Sequence, residues 1–240
     1  MNILAIGNSF SQDATRYLHQ IARCAGDKLN VVNLYIGGCP LSKHYFNMLS
    51  EDDAYDLEYN GHCTGFKVSL KNALLNREWD YITVQQVSSK SVNYDTYQPY
   101  LDELCAYIRK CSPKAKLVVH QTWFYEKDSK RLCEELGYTA PKLMLDDIKA
   151  AYAKAADAID AHMTIPSGEL LMAMSDSGIE KLHRDTFHAT YGLSRYALGL
   201  LWYACLTGKD VSDNTFCDFD EPVTDEEVAI VKKCVKSLTK

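Results

Sequence analysis

A serine near the N-terminus and an aspartate–histidine pair near the C-terminus have the types and spacing that acyl-transfer chemistry needs. Ser9 follows an apolar run at the point where an amphipathic helical pattern begins. A tight strand-to-helix turn there would expose its hydroxyl near a helix N-terminus, where negative charge is favoured. Asp185 and His188 are three residues apart. Within one turn the carboxylate can therefore accept a hydrogen bond from the imidazole Nδ1, which leaves Nε2 free to take a proton from a serine hydroxyl.

Each of these residues also has a plainer interpretation. Ser9 could cap the following helix, and the stretch from Gly7 to Ser11 does not match the G-x-S-x-G pattern, since its last residue is serine. Asp185 could likewise be a helix cap, and His188 an ordinary packing histidine. A cysteine nucleophile at Cys39 is a further alternative, although the sequence around it contains no orienting pattern.

A metal-dependent hydrolase is another alternative, with His183, Asp185 and His188 as ligands and His120 as a further one. The two histidines of the loop are five residues apart, not the four that place two ligands on one face of a helix. No cysteine pair supports zinc. We therefore expect neither a metal site nor a cofactor.

Alternating strand and helix signals predict the elements that position these residues. Strands are predicted over 2–6, 29–36, 81–85, 116–120 and 163–165, and helices over 12–25, 67–76, 101–108, 143–161, 169–174, 191–206 and from 224 onward. This alternation predicts a single α/β domain over 1–240, a three-layer sandwich with a five-stranded, mostly parallel sheet. The aromatic, unperiodic stretch 41–66 is predicted to be a loop and a candidate substrate lid.

Polar and aromatic residues follow four of the predicted strands, and all these strand ends should meet at one edge of the sheet. His120 ends the fourth strand, and Trp123 and Tyr125 follow it. With Tyr35, Tyr45 and Tyr55 they could line a substrate pocket, because aromatic faces stack on sugar rings. For any one of them, a place in the core or at its rim is the plainer expectation.

Composition narrows the classes of partner. A net charge of −6 with both signs interspersed leaves no basic stripe for nucleic acid. The longest apolar-rich run is too short to span a membrane. Nine cysteines without a C-x-x-C pair favour reduced thiols, and the N-terminal residues show no signal-peptide pattern, so a cytoplasmic location is expected unless such a peptide was removed. The expected partner is a small-molecule or oligosaccharide ester, and the oligomeric state stays open, with a homodimer as one option.

Three blocks of the sequence, between residue 3 and about residue 208, resemble those of the SGNH/GDSL hydrolase superfamily. Gly7-Asn8-Ser9-Phe10 resembles the first block, Gly-Asp-Ser-Leu, with Ser9 as nucleophile. The run 33–38 resembles the second block, in which an asparagine precedes the oxyanion-hole glycine by five residues, and this implies that role for Gly38. The last block, with the catalytic acid and base, matches Asp185-Thr186-Phe187-His188.

The sequence departs from the superfamily pattern at two places. Asn8 replaces an aspartate, and the third block, Gly-x-Asn-Asp, is absent after the third predicted strand, where Gln85 stands. Some carbohydrate-esterase branches also have a glutamine here, which offers the same amide donor on a longer side chain. The resemblance thus implies Gln85 as the third oxyanion donor, with Gln86 as the alternative, because adjacent strand residues face opposite ways.

The resemblance implies a flavodoxin-like SGNH fold and a serine esterase. Such an enzyme would hydrolyse small acyl esters, acetyl esters of carbohydrates above all. Ser9, Asp185 and His188 would form the triad, and the oxyanion would bind the N–H groups of Ser9 and Gly38 and the Gln85 amide. A carbohydrate- or metabolite-binding module without catalysis remains the alternative, since fold alone does not establish activity.

Overall fold

A central mixed sheet organises the chain, and the computed structural model describes residues 1–239 of it. The strands in that range are β1 (Asn2–Gly7), β2 (Asn30–Tyr35), β3 (Tyr55–Tyr59), β4 (His62–Val68), β5 (Tyr81–Val84), β6 (Lys116–His120) and β7 (Met163–Ile165). Their order is β4-β3-β2-β1-β5-β6-β7. The five strands from β2 to β7 in that order pair in parallel, while β3 pairs antiparallel with both β2 and β4.

The predicted α/β fold is confirmed, and its five predicted strands are the five parallel ones. The predicted strand count is wrong, because the sheet has seven strands in the described residues and is mixed. The two additional strands begin in the stretch 41–66, and β4 continues to Val68, so this stretch is not an irregular loop. Asn60 and Gly61 join them with φ of 52° and 84°, as a two-residue type I′ hairpin turn requires. The sequence pattern missed β4 because most of its side chains are exposed, which removes the alternation that marks a strand.

Nine α-helices accompany the strands in the described residues. They are α1 (Ser9–Thr15), α2 (Leu18–Cys24), α3 (Leu41–Ser50), α4 (Leu70–Leu75), α5 (Tyr100–Cys111), α6 (Pro141–Ala158), α7 (Ser167–Asp176), α8 (Leu193–Thr207) and α9 (Asp225–Leu238). The helix predicted over 12–25 is in fact α1 and α2, and it begins three residues earlier, at Ser9. Gly208 ends α8 in the left-handed conformation, and Thr224 with Glu227 forms a capping box at α9.

Helices cover the central strands, and this burial fixes where the polar strand ends meet. Five of the six residues of β1 and all four of β5 are buried, as strands covered on both faces must be. Helices α1 and α2 pack against α8, and α8 packs against α9, whereas α3 packs against α5. The carboxyl ends of β1, β2 and β5 then lie at one edge, next to Ser9, Gly38 and Gln85. Within residues 1–239, no helix combines the length and the apolar character needed to cross a membrane.

Candidate active site

Three side chains from opposite ends of the chain form a continuous hydrogen-bonded line. The Ser9 hydroxyl lies 2.8 Å from His188 Nε2. On the other side of the ring, His188 Nδ1 lies 2.7 Å from Asp185 Oδ2. An Nδ1–H that donates to the carboxylate leaves the lone pair of Nε2 facing the serine, which is the arrangement that lets a neutral imidazole remove the hydroxyl proton.

The loop that carries Asp185 and His188 is folded so that the carboxylate is held from two sides. Asp185 Oδ1 accepts the backbone N–H groups of Phe187, at 3.2 Å, and His188, at 2.9 Å, while Oδ2 faces the imidazole. Thr186 has φ of 123°, an unfavourable value for a β-branched residue, as is common at functional sites. Burial raises the pKa of Asp185, but hydrogen bonds from His188 and from the two backbone N–H groups outweigh it and lower the pKa to about 2. The carboxylate is therefore ionised at neutral pH.

Ser9 is the first residue of α1, directly after the strand end at Gly7. The N-cap residue is Asn8, whose Oδ1 accepts the Phe10 backbone N–H at 3.0 Å. Position 7 has room only for glycine, because a Cβ atom added there would lie 2.8 Å from Ser11 Cβ and 2.9 Å from Gln85 Oε1. The strand-to-helix turn predicted from the sequence thus places Ser9 half-buried at the edge of the sheet.

A buried ion-pair cluster ties the histidine loop to the serine helix. Asp13, on α1, is fully buried and accepts hydrogen bonds from Arg184 at 2.9 Å, from Arg195 at 2.8 Å and from the Ala189 backbone N–H at 3.2 Å. Arg184 and Ala189 flank the segment 185–188. Burial raises the pKa of Asp13, and the two guanidinium groups act against this shift.

A second buried chain of hydrogen bonds runs behind Ser9. Ser167 bonds to His120 Nε2 at 3.1 Å, His120 Nδ1 bonds to Gln85 Oε1 at 2.7 Å, and Gln85 Nε2 donates to Asn8 Oδ1 at 2.9 Å. Since Gln85 Oε1 can only accept, His120 Nδ1 carries the proton, and burial lowers the pKa of His120 to about 3. This chain of hydrogen bonds fixes Asn8, the N-cap residue next to Ser9.

Gln85 and Gln86 face opposite sides of the chain, as the alternation of strand residues requires. Gln86 accepts the Leu41 backbone N–H and donates to the Thr96 carbonyl, away from Ser9. Gln85 is the residue directed at Asn8. The resemblance implied that its amide binds the oxyanion directly, but one amide hydrogen goes to Asn8, and Gln85 does not line the pocket described below.

The backbone at Gly38 lies beside the nucleophile and is joined to it through Asn8. Gly38 has φ of 60°, which favours glycine, and it is exposed. Asn8 Nδ2 donates to the Cys39 carbonyl at 3.1 Å, so one side chain connects the turn after β2 with the start of α1. Within residues 1–239, the backbone N–H groups of Ser9 and Gly38 donate no hydrogen bond to other parts of the chain.

A pocket of about 380 Å³ opens over Ser9 and His188. Its other lining residues are Asn8, Phe10, Gln12, Tyr35, Gly37, Gly38, Val87, Ser88, Ser89, Tyr125, Arg131, Arg184 and Phe187. Hydroxyl, amide and guanidinium groups line it, and in the described part of the chain neither aspartate nor glutamate does. The cavity can therefore hold a polar molecule against the serine.

The structure separates the three aromatic residues expected on the substrate wall. Tyr125 is almost fully buried but borders the pocket, and its hydroxyl bonds to Ser88 at 2.9 Å. His120 and Trp123 are corrections to that expectation, because both are fully buried behind the wall. His120 belongs to the hydrogen-bond chain, while Trp123 stacks on Phe10 with ring centroids 3.9 Å apart. Of the other tyrosines considered, Tyr35 lines the pocket and Tyr55 is buried against His44.

The two alternative chemistries find no support in the geometry. Burial raises the pKa of the Cys39 thiol to about 12, which removes the thiolate that a nucleophile needs. His183 is buried beside the Phe124 ring, and burial lowers its pKa to about 4. The part of the chain that the structure describes contains no group of three His, Cys, Asp or Glu side chains placed to hold a metal ion.

Sequence reasoning missed Asp13, Arg131 and Arg184. Two of these residues carried a usable signal in the sequence. Asp13 is a charged residue on the apolar face of a predicted helix, four positions after Ser9, and Arg184 has the opposite charge and directly precedes Asp185. Arg131 carried none, because it stands in a polar segment without periodicity, which the structure folds into a short π-helix over Arg131–Glu135.

Comparisons with known proteins agree on the fold. A family model described as a domain of unknown function, DUF4886, matches residues 2–236. The crystal structure of a DUF4886 family protein from Bacteroides uniformis is 31% identical, with a TM-score of 0.91 over 99% of this chain and 93% of that one. A candidate SGNH hydrolase from Slackia heliotrinireducens is 23% identical, with a TM-score of 0.58 over 85% and 97%. A candidate GDSL-like lipase from Parabacteroides merdae is 14% identical, with a TM-score of 0.55 over 86% and 95%. No curated protein matches the chain.

Proposed function

We propose that this chain, which belongs to the DUF4886 family, is a serine hydrolase that cleaves small acyl esters, with Ser9 as nucleophile, His188 as general base and Asp185 as the residue that orients it. The observation that carries the proposal is the line from Ser9 Oγ through the imidazole to Asp185 Oδ2, with separations of 2.8 Å and 2.7 Å. Both are hydrogen-bond distances for a nucleophile, its base and its orienting group. The fold, which resembles SGNH and GDSL-like structures, is consistent with this chemistry.

The proposed reaction has two steps. In the first, His188 Nε2 takes the proton of Ser9 while the serine oxygen bonds to the ester carbonyl carbon. The imidazolium then gives that proton to the leaving alcohol oxygen as its bond to carbon breaks, and this leaves an acyl-serine. In the second step, water repeats the sequence, the acid is released and Ser9 regains its proton.

The oxyanion of each tetrahedral intermediate would accept hydrogen bonds from the backbone N–H groups of Ser9 and Gly38. Support comes from their position beside the pocket and from their lack of other acceptors within residues 1–239. A donor of this kind is worth about 3 kcal/mol of transition-state stabilisation. For Gln85 we propose a positioning role: its amide holds Asn8, which in turn holds both Phe10 N–H and the Cys39 carbonyl.

The character of the pocket supports an acetyl ester of a carbohydrate as the substrate. Its neutral polar groups include the side chains of Gln12, Tyr35 and Ser89, which can hydrogen-bond sugar hydroxyl groups. The hydroxyl group of Tyr125 borders the same wall and can also hydrogen-bond a sugar hydroxyl group.

The experiment compares hydrolysis of 4-nitrophenyl acetate, butyrate and octanoate by the wild-type protein and by the Ser9→Ala and His188→Ala variants. We expect the highest kcat/KM with acetate and a loss of at least about 10³-fold in each variant. Ser175→Ala is the matched control, since this exposed serine on α7 lies outside the pocket and should leave the rates unchanged. A phosphonate ester that reacts with activated serines should add its mass to Ser9 alone.

Two outcomes would count against the proposal. Hydrolysis retained in folded Ser9→Ala would overturn the assignment of the nucleophile. No turnover of any ester, together with no phosphonate labelling of Ser9, would favour the non-catalytic binding module instead.

A further inference from the structure

Two arginines line the candidate active-site pocket of this acidic protein. The whole sequence has a net charge of −6, yet the pocket wall includes Arg131 and Arg184, and no aspartate or glutamate of the described residues lines it. A cleft with charge of one sign attracts ligands of the opposite sign. The two arginines differ in how far their charge is already compensated.

Arg184 is neutralised within the protein. Its guanidinium donates to both oxygens of the fully buried Asp13, each at 2.9 Å. It also donates to the Ala189 carbonyl. Because these contacts use its charge to hold the histidine loop, Arg184 contributes little to the field in the pocket.

Arg131 has no such partner. The ion pairs in residues 1–239 do not include it. Its Cζ lies 4.1 Å from the centre of the Phe187 ring, and that ring is 3.9 Å from the His188 ring, centroid to centroid. The sum of these distances, about 8 Å, is an upper limit on the separation of the guanidinium from the imidazole centre.

The contacts of Arg131 hold its guanidinium in place and leave donors free. A guanidinium over an aromatic ring is attracted by the π-electrons, and its N–H groups remain available at the edge of the plane. Burial and the Glu135 carboxylate raise the pKa of Tyr125, while Ser88 and Arg131 act against that shift, so the guanidinium lies near the phenol oxygen. In the described residues Glu135 forms no ion pair with Arg131. The unpaired N–H donors of a planar guanidinium that packs on an aromatic ring match the spacing of the two oxygens of a carboxylate.

We propose that the substrate carries a carboxylate next to the ester, and that Arg131 binds it. Resting on the esterase function proposed above, this identifies the substrate class as acetyl esters of acidic sugars, that is, uronic acids. The guanidinium lies within about 8 Å of the imidazole centre, and Ser9 Oγ lies 2.8 Å from His188 Nε2 on the same pocket wall, so one sugar ring can bring an acetyl group to Ser9 and its carboxylate to Arg131. Arg131 is then a specificity-determining residue and takes no part in proton transfer.

The test uses two substrates that differ only in charge: an acetylated methyl glucuronoside and the same compound with its carboxylate converted to the neutral carboxamide. Acetate release is measured for the wild type and for Arg131→Gln, Arg131→Lys and Lys130→Gln. The wild type should prefer the carboxylate by about tenfold in kcat/KM, as a charge-assisted hydrogen bond allows. In Arg131→Gln the ratio should fall to about one, Arg131→Lys should keep part of it, and raising the salt concentration should reduce it.

Lys130→Gln is the matched control, because it removes one positive charge from the neighbouring exposed residue, which does not line the pocket. Its preference ratio should equal that of the wild type. A ratio unchanged in folded Arg131→Gln, or a wild-type preference for the carboxamide, would overturn the proposal. The ratio of the two kcat/KM values distinguishes loss of carboxylate binding from local distortion, because distortion would slow hydrolysis of both substrates equally.

A binding measurement separates this inference from the proposed function. The Ser9→Ala protein is titrated with the acetylated glucuronoside and with its carboxamide, with and without Arg131→Gln. Tighter binding of the carboxylate compound than of the carboxamide, lost in Arg131→Gln, would support the inference. Absence of ester hydrolysis by the wild type would contradict only the proposed esterase function and would leave this binding result valid. Equal binding of both compounds would contradict the inference while esterase activity stood.

Discussion

Replacing Asp185 by asparagine tests the proposed triad most directly, because the loop geometry determines how the new side chain must lie. The Phe187 and His188 backbone N–H groups donate to one carboxylate oxygen, Oδ1. An asparagine would place its single side-chain oxygen at the position of Oδ1, because the two backbone N–H groups need an acceptor. Its NH2 group would then face His188 Nδ1 at the position of Oδ2.

This reversal should place the imidazole proton on the wrong nitrogen. With an NH2 donor at Nδ1, the neutral ring carries its proton on Nε2 and cannot accept the hydrogen of Ser9. In the described residues no other acceptor bonds to His188 Nδ1, so nothing replaces the lost carboxylate. By comparison with other serine hydrolases we expect kcat to fall by about 10³- to 10⁴-fold, or about 4–5.5 kcal/mol of transition-state stabilisation.

The same substitution should change stability little. The pKa of Asp185 is lowered to about 2, so its contribution to stability is present above the unfolded-state pKa of about 4 and is lost as the pH falls toward 2. The side chain is 45% exposed, and solvent screening therefore limits that contribution to less than about 1 kcal/mol. At neutral pH, the free energy of unfolding of Asp185→Asn should differ from the wild-type value by no more than this.

The assay is 4-nitrophenyl acetate hydrolysis at neutral pH, together with urea unfolding of the same samples. Asp157→Asn, an exposed position on α6, is the control for loss of a negative charge. If Asp185→Asn retained more than a tenth of the wild-type kcat, His188 would not depend on this carboxylate, and the reasoning from the loop would be refuted.

Two further predictions concern the parts that hold the site together. Gly7→Ala should lower the free energy of unfolding by about 1–3 kcal/mol, because the new Cβ would lie 2.8 Å from Ser11 Cβ and 2.9 Å from Gln85 Oε1. Urea unfolding measures this free energy. An unchanged urea midpoint would contradict the prediction, because it would mean that the turn can shift to accommodate the added methyl group without loss of stability. Asp13→Asn removes the carboxylate shared by the partly buried Arg184 and the buried Arg195, which keeps only a 3.5 Å contact with Asp220, so we expect a loss of about 3 kcal/mol, seen as a lower Tm. An unaltered Tm would contradict the view that this cluster stabilises the fold.

The parallel part of the sheet and the proximity of Asp185 to His188 were predictable because each has a local signal. The apolar runs of the five parallel strands end at turn residues, and Asp185 and His188 are close in sequence. Strand β4 lacked such a signal, since its exposed residues do not alternate, although the pair Asn60-Gly61 between two short runs was available as evidence for a hairpin.

The roles of His120 and Gln85 could not be read from the sequence for a different reason. Both follow strands at the correct edge, and a histidine there is equally compatible with a substrate wall and with a buried hydrogen bond. The outcome depends on which side of β6 faces Gln85 and on the depth of burial, which are properties of the packed sheet. For the same reason, sequence could assign Gln85 a donor group but could not show that Asn8 receives it.

The buried cluster at Asp13 explains how residues so far apart in sequence are held at hydrogen-bond distance. Ser9 and Asp13 lie on the same short helix, α1, so their relative position is fixed by helical geometry. Asp13 binds Arg184 and the Ala189 backbone N–H, which bracket the loop with Asp185 and His188. Ser9 and His188 are thus attached to one rigid element through contacts to the fully buried Asp13 carboxylate. A substitution at Asp13 should for this reason lower kcat as well as stability, although Asp13 does not line the substrate pocket.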